Sequence, residues 1–188
     1  GVELDVQFSR DGEVVVFHDG DLLRLAGRHE RVEHLTWDEL SQVALQGGGK
    51  IPRLSDLLAV WPTDRWLNVE LKAGGNAIGR EAVRVLAGRP KVLLSSFDPR
   101  MLLAARAAGS QYEHALLLAA ESPAFLHVHG AQAFGCASVH LDHRLCTPVT
   151  VQRYQAQGLQ VGVWTVNSLL RKQEVASWGV ARIITDSP

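Results

Sequence analysis

The feature that most constrains the fold of this 188-residue chain is an alternation of short apolar strands with helices, which runs from Trp66 to Thr185. Three of the predicted helices end at a glycine, and three have a proline at the start, as is typical of helix ends. Strands that alternate with helices predict a parallel sheet with helical crossovers. The predicted strands begin at Val2, Trp66, Lys91, Ala115, Ala137, Gln160 and Arg182.

A closed barrel of this kind has eight strands and typically about 250 residues. The chain therefore predicts an α/β fold, a (β/α)8 TIM barrel with about seven of its eight strands, formed by residues 1–188 as a single domain. The pattern puts the absent strand and helix at the front. We expect either that the chain is the retained part of a longer protein or that it forms a homodimer in which a second copy covers the gap.

Composition excludes several classes of partner. Charged residues make up 21% of the chain and the formal net charge is −1, which argues against nucleic-acid binding. No apolar run is long enough to cross a bilayer, so no stable membrane insertion and a cytoplasmic location are expected, although a targeting segment upstream of Gly1 would not be visible. The two cysteines, Cys136 and Cys146, are expected to pack as buried thiols.

The first strand and the turn after it bring polar side chains together. Alternation over Val2 to Phe8 places Glu3 and Asp5 on one face, and the turn at Asp11-Gly12 starts a hairpin that would return His18 beside Glu3. Carboxylate oxygens suit a hard cation such as Mg²⁺ or Ca²⁺, and a histidine can move protons near neutral pH. Taken alone, a Glu-x-Asp strand is more often an exposed strand with solvated acids.

The next predicted strand adds a second polar pair. Glu70 and Lys72 share one face by the same alternation, and buried charges are costly unless they are paired or bind an ion. Glu70 would complete a metal site made of three carboxylates, and the positive charge of Lys72 suits a phosphate oxygen. The alternative is a structural ion pair between Glu70 and Lys72.

Two residues at later strand ends are candidates for a substrate pocket. His140 is either a pocket wall residue that contacts substrate or an ordinary loop histidine. Trp164 is either a core residue or the apolar wall on which a small substrate packs.

With these residues in place, the chain resembles the glycerophosphodiester phosphodiesterases. The stretch Glu3 through Arg24 is similar to the signature of that family, and the similarity covers the whole chain in an ordered series of motifs. These are Leu35-Thr36, Ile51-Pro52-Arg53-Leu54, Asn68-Val69-Glu70-Leu71-Lys72, Ser95-Ser96-Phe97, Gly158-Leu159, Trp164-Thr165-Val166-Asn167 and Ile184-Thr185-Asp186-Ser187-Pro188.

The resemblance implies a barrel that binds a divalent cation, Mg²⁺ or Ca²⁺, and cleaves a glycerophosphodiester into an alcohol and glycerol 3-phosphate. It implies metal ligands at Glu3, Asp5 and Glu70. It also implies that His18 is one of two acid/base histidines, that Lys72 contacts the phosphate and that Trp164 lines the glycerol pocket.

The family pattern also has a strand ending in His-Arg-Gly and a Glu-Asn-Thr segment, and neither occurs here. Two alternatives therefore stay open: a phospholipase D-like lipid phosphodiesterase on the same fold, and a non-catalytic barrel that binds a phosphorylated ligand or a partner. Attack on phosphorus by water or through a cyclic phosphate is equally compatible with the residues.

Overall fold

A computed structural model describes residues 1–188, and the chain divides into two compact units. The first unit comprises residues 1–94 and 100–112, and the second comprises residues 95–99 and 113–188. None of the helices combines the length and the apolar character that a membrane span requires.

The first unit is built on a hairpin and a parallel pair. Strands β1 (Val2–Phe8) and β2 (Val14–Val16) pair antiparallel around a turn in which Gly12 adopts a left-handed φ of 85°. On its other side β1 pairs parallel with β3 (Leu67–Leu71), and β4 (Val92–Ser96) follows in the order β2-β1-β3-β4. The apolar face of β1 and β3, opposite the face that carries the carboxylates, belongs to the core, since Val6 and Val69 are fully buried.

The helices of this unit follow their sequence signals closely. They are α1 (Leu23–Ala26), a 3₁₀ turn (Val32–His34), α2 (Trp37–Ser41), α3 (Leu54–Val60), α4 (Gly75–Val85) and α5 (Pro99–Ala107). A capping box of Thr36 and Glu39 opens α2. The helix ends at Ser41, where the chain turns, and the Gln46 amide donates to the Leu25 carbonyl.

The segment between β2 and β3, residues 17–66, is called here the β2–β3 excursion, and it packs on its own apolar cluster. Backbone hydrogen bonds from Leu22 to Glu30 and from Val32 to Gly20 close its first loop. His18 stands at its beginning, and its side chain is exposed. The cluster comprises Val15, Phe17, Leu22, Val32, Leu40, Val43 and Ile51.

The second unit continues the strand and helix alternation. Its strands, in the order β5-β6-β7-β8, are β5 (Glu113–Leu118), β6 (Ser138–Asp142), β7 (Gln160–Trp164) and β8 (Arg182–Ile183), all paired parallel. Its helical segments are a π-helical turn (Leu126–Gly130), α6 (Ala131–Ala133), α7 (Pro148–Ala156) and α8 (Leu169–Ser177). The seven predicted strands are therefore confirmed, and β2 is the return strand of the predicted hairpin.

Candidate metal centre

Three carboxylates converge where β1 runs beside β3. Asp5 is in register with Glu70, and Glu3 shares its strand face with Asp5, so one ligand oxygen from each of the three lies within 4.8 Å of the others. Glu70 is 8% exposed, and its pKa is raised by burial and by the charge of Asp5, against the opposing effect of Lys72. A partly buried, all-oxygen, anionic donor set fits a hard divalent cation.

Lys72 neutralises part of this negative charge. Its Nζ lies 3.3 Å from Asp5 Oδ1, 3.1 Å from Glu70 Oε1 and 3.1 Å from His18 Nε2. Burial alone would lower the pKa of Lys72, but the attraction of Glu70 and Asp5 outweighs burial and raises it. The Glu70 ion pair that the sequence left as an alternative is therefore present, together with the carboxylate group and not instead of it.

His18 joins this cluster through Lys72. The predicted hairpin is present and returns His18 to Lys72, whose Nζ contacts Asp5 and Glu70, while the expected position of His18 beside Glu3 stays a prediction. The imidazole Nδ1 lies 2.6 Å from Asp19 Oδ1 and the side chain is 57% exposed. A carboxylate can only accept here, which places the proton on Nδ1 and leaves Nε2 to accept from the Lys72 ammonium.

Asp19 is itself held by an arginine. Arg24 donates to Asp19 from Nε at 2.7 Å and from Nη2 at 3.0 Å. The Arg24 hydrogen bond, with a further contribution from His18, lowers the pKa of Asp19 below its ordinary value, so this carboxylate is ionised. The sequence pattern gave no role to Asp19 or Arg24, although both fall within the signature stretch.

Gln7 is a second polar residue that sequence reasoning missed. It is buried on β1, and its Nε2 donates to the carbonyls of Phe17 and Asp19, at 2.8 and 2.7 Å. The available signal was its spacing, since Gln7 lies two residues after Asp5 on the face that carries Glu3.

The two predicted pocket residues belong to the second unit. Trp164 ends β7, and its Nε1 donates to the His140 carbonyl at 3.0 Å. The ring of Phe97 stands edge-on to Trp164, with centroids 5.4 Å apart and an interplanar angle of 87°. Both aromatic rings keep some exposed surface.

His140 lies in the middle of β6 and is fully buried. Neither ring nitrogen has a hydrogen-bond partner, and burial, with the nearby charge of Arg182, lowers the pKa of His140 to about 3. The imidazole lies against Gly162, where an added Cβ would be 2.5 Å from the ring. It is therefore a neutral interior residue, with no exposed surface in this structure through which it could contact a substrate.

Comparison with known proteins adds a consistent set of relatives. A sequence model of the glycerophosphoryl diester phosphodiesterase family matches residues 1–188. A protein of Mycobacterium tuberculosis named probable glycerophosphodiester phosphodiesterase 2 is 32% identical, over 98% of this chain and 75% of the relative.

Solved structures support the same fold. A glycerophosphodiester phosphodiesterase from Thermotoga maritima is 26% identical and has a TM-score of 0.83, covering 99% of this chain and 81% of that chain. A phosphodiesterase from Oleispira antarctica, solved with the product sn-glycerol-3-phosphate, is 25% identical with a TM-score of 0.89, over 100% of this chain and 81% of that one. The predicted α/β barrel class is thereby confirmed.

Proposed function

This chain belongs to the glycerophosphoryl diester phosphodiesterase family, and from that premise we propose that it hydrolyses glycerophosphodiesters to an alcohol and glycerol 3-phosphate. The observation that carries the proposal is the convergence of three carboxylates, one lysine and one histidine along β1, β3 and the start of the β2–β3 excursion. The product bound to the Oleispira antarctica relative supports the choice of substrate class.

Glu3, Asp5 and Glu70 would hold the divalent cation, since their oxygens form a compact anionic set. A cation bound there would neutralise negative charge on a phosphate oxygen. Mg²⁺ and Ca²⁺ both prefer oxygen ligands and differ in how many they take and how rigidly. Three carboxylates leave room for substrate and water oxygens with either ion.

Lys72 would contribute a second positive charge toward the phosphate. Its ammonium has three N–H donors, and three acceptors already surround it: Asp5, Glu70 and His18. Engagement of a phosphate oxygen therefore requires that Lys72 release one of these partners. Release of His18 is the simplest exchange, because it frees Nε2 for proton transfer at the same time.

His18 would move the proton. With Asp19 bonded to Nδ1, the Nε2 atom can take a proton from the attacking oxygen or, once protonated, give one to the leaving oxygen. The ionised Asp19 would stabilise the imidazolium that forms, and Arg24 keeps that carboxylate in place. A contribution of roughly a hundredfold to ten-thousandfold is expected from such a group.

For the substrate we propose that Trp164, supported by Phe97, packs against the glycerol moiety. The support is the partly exposed edge-to-face pair at the end of β7. His140 contributes indirectly, through the backbone carbonyl that fixes the Trp164 indole.

The test is direct assay of the purified chain. With Mg²⁺ or Ca²⁺, glycerophosphocholine should release glycerol 3-phosphate, and EDTA should abolish the release. Cleavage of sphingomyelin in place of glycerophosphocholine would favour the phospholipase D-like alternative. Metal binding without any turnover would favour the non-catalytic barrel. ³¹P NMR of the reaction distinguishes the two routes, since only attack by the glycerol hydroxyl passes through a cyclic phosphate.

A further inference from the structure

We propose that Gln7 is a positioning residue, whose side-chain amide fixes the backbone on both sides of His18 and thereby aims the His18 imidazole. This inference rests on the proposed catalytic role of His18. It assigns to a buried residue of β1 a function in proton transfer, although Gln7 itself touches no reacting group.

The geometry of the amide is unambiguous. Gln7 is 3% exposed, and its Nε2 lies 2.8 Å from the Phe17 carbonyl and 2.7 Å from the Asp19 carbonyl. Both partner atoms can only accept, so the NH₂ group and not the amide oxygen must face them. A glutamine amide has two N–H donors, and both are used here.

The two hydrogen bonds that Gln7 Nε2 donates, called here the clamp, lie just beyond the end of the paired part of the hairpin. The last paired residues of the β1–β2 ladder are Val6 and Val16, and a single further bond runs from the Phe17 amide to the Asp5 carbonyl. Beyond that bond, residues 18–20 leave the sheet. The Gln7 side chain there takes the place of the missing ladder bonds by donating to one carbonyl before His18 and to one after it.

His18 needs such support because packing does not supply it. Its side chain is 57% exposed, and its orientation depends on Asp19, whose carboxylate bonds Nδ1. The Asp19 carbonyl that Gln7 binds belongs to the residue that supplies this carboxylate. Without the clamp, the imidazole and the carboxylate can shift together, and a misplacement of about 1 Å can cost about a hundredfold in rate.

The test compares Gln7→Met, which keeps the length of the side chain and removes its donors, with Gln155→Met. Gln155 is a matched control because its Nε2 also donates to a backbone carbonyl, that of Gly179, in the second unit. Gln7→Met should lower kcat about tenfold to a hundredfold while KM and the Mg²⁺ affinity measured by calorimetry stay within about twofold. Gln155→Met should change none of these.

A purely structural role would not move the state of the His18 ring, so ¹⁵N NMR of the imidazole is the deciding measurement. The native protein should show the neutral tautomer protonated on Nδ1, and Gln7→Met should show a mixture of tautomers. A folded Gln7→Met protein with native kcat, or with reduced kcat and an unchanged His18 spectrum, would overturn the proposal.

If Gln7→Met does not fold, the native protein still provides a test. Both Gln7 side-chain amide protons should be protected from solvent exchange, and free exchange of either one contradicts the clamp. A His18→Ala variant separates the two levels of inference. Full turnover in His18→Ala refutes the proposed role of His18, whereas lost turnover in His18→Ala with normal turnover in Gln7→Met refutes only the positioning role.

Discussion

Two histidines of this molecule, His18 and His140, both lie near charged groups but differ in burial and in their hydrogen-bond partners. His18 is exposed on one side and has a partner at each ring nitrogen, Asp19 at Nδ1 and Lys72 at Nε2. His140 is fully buried and has a partner at neither. The first arrangement keeps both a proton and a lone pair in defined positions, whereas the second excludes the charged form of the ring.

The difference follows from where each histidine lies relative to its strand. His18 lies beyond the end of β2, where polar side chains can surround it, and His140 lies in mid-strand against Gly162 and near Arg182. A hydrogen-bonded network preserves reactivity because proton transfer needs an accessible, oriented group. Burial without partners removes it because desolvation penalises the imidazolium. Proximity of a histidine to charge therefore does not by itself indicate catalysis.

The largest expected effect comes from removing the imidazole of His18. His18→Ala should reduce kcat by roughly a hundredfold to ten-thousandfold, since the group that transfers the proton is lost. Its Mg²⁺ affinity should change little because the three carboxylates remain. Steady-state kinetics and calorimetry provide the two measurements, with the exposed His29→Ala as the control. Equal kcat in His18→Ala and native protein would remove the functional contrast with His140.

The next largest effect is expected at Glu70, a carboxylate in the same unit as His18, and Glu113 provides a comparison in the unit that contains His140. Glu70→Gln should weaken Mg²⁺ or Ca²⁺ binding by at least about a hundredfold, because an amide replaces a charged ligand. Glu113→Gln is the matched control: it also alters a strand carboxylate, one that pairs with Arg182 in the second unit. We expect Glu113→Gln to lower the melting temperature and to leave metal affinity unchanged. Unchanged metal affinity in Glu70→Gln would refute the ligand assignment.

His140 should make the stability of the folded protein depend on pH. Its pKa is about 3 when folded and near 6.5 when exposed, so between these values the unfolded chain binds more protons than the folded protein does. Stability from this residue is complete above about pH 6.5 and falls as pH drops toward 3, by about 1.4 kcal/mol per pH unit.

The variant His140→Leu lacks this titration. Urea unfolding should therefore show the stability of the native protein falling, relative to His140→Leu, by about 2 kcal/mol between about pH 7.5 and pH 5. Every other titrating group is common to the two proteins. A constant difference across this range would mean that the His140 ring gains a proton as easily in the folded protein as in the unfolded chain.

The smallest expected effect is at the outer end of the His18 network. Arg24→Met removes the arginine from Asp19 but leaves the Asp19 contact with His18. Because the Arg24 side chain is 61% exposed and such pairs contribute little, kcat should fall by no more than about fivefold. A loss as large as that of His18→Ala would show that the network acts as a unit up to its solvent-exposed end.

The cluster of three carboxylates could be predicted from the sequence because it depends on two simple regularities. Alternation put Glu3 with Asp5, and adjacency of parallel strands put Glu70 beside them; the structure brings these oxygens together. The same regularities gave the seven parallel strands. The family match and the solved relatives confirm the fold class that followed from them.

The other features depend on details that periodicity does not carry. The contact of His18 with Lys72 depends on the path of the chain beyond Val16, where the hairpin ladder ends, and sequence alone does not fix that path. The role of Gln7 depends on its side chain reaching carbonyls past the ladder end. His140 was expected near a strand end, but β6 continues to Asp142, so position 140 is interior.

The contact between Lys72 and His18 joins residues that are 54 positions apart in the chain. Most of the intervening β2–β3 excursion packs on its own cluster, so this contact is long-range and requires the loop between the two residues to close. Because each doubling of loop length costs only about 0.6 kcal/mol in closure entropy, a longer β2–β3 excursion would close at little extra cost. The exposed glycines at 47–49 have open space around them, which makes this turn a suitable insertion point for a reporter peptide that leaves the chemistry intact.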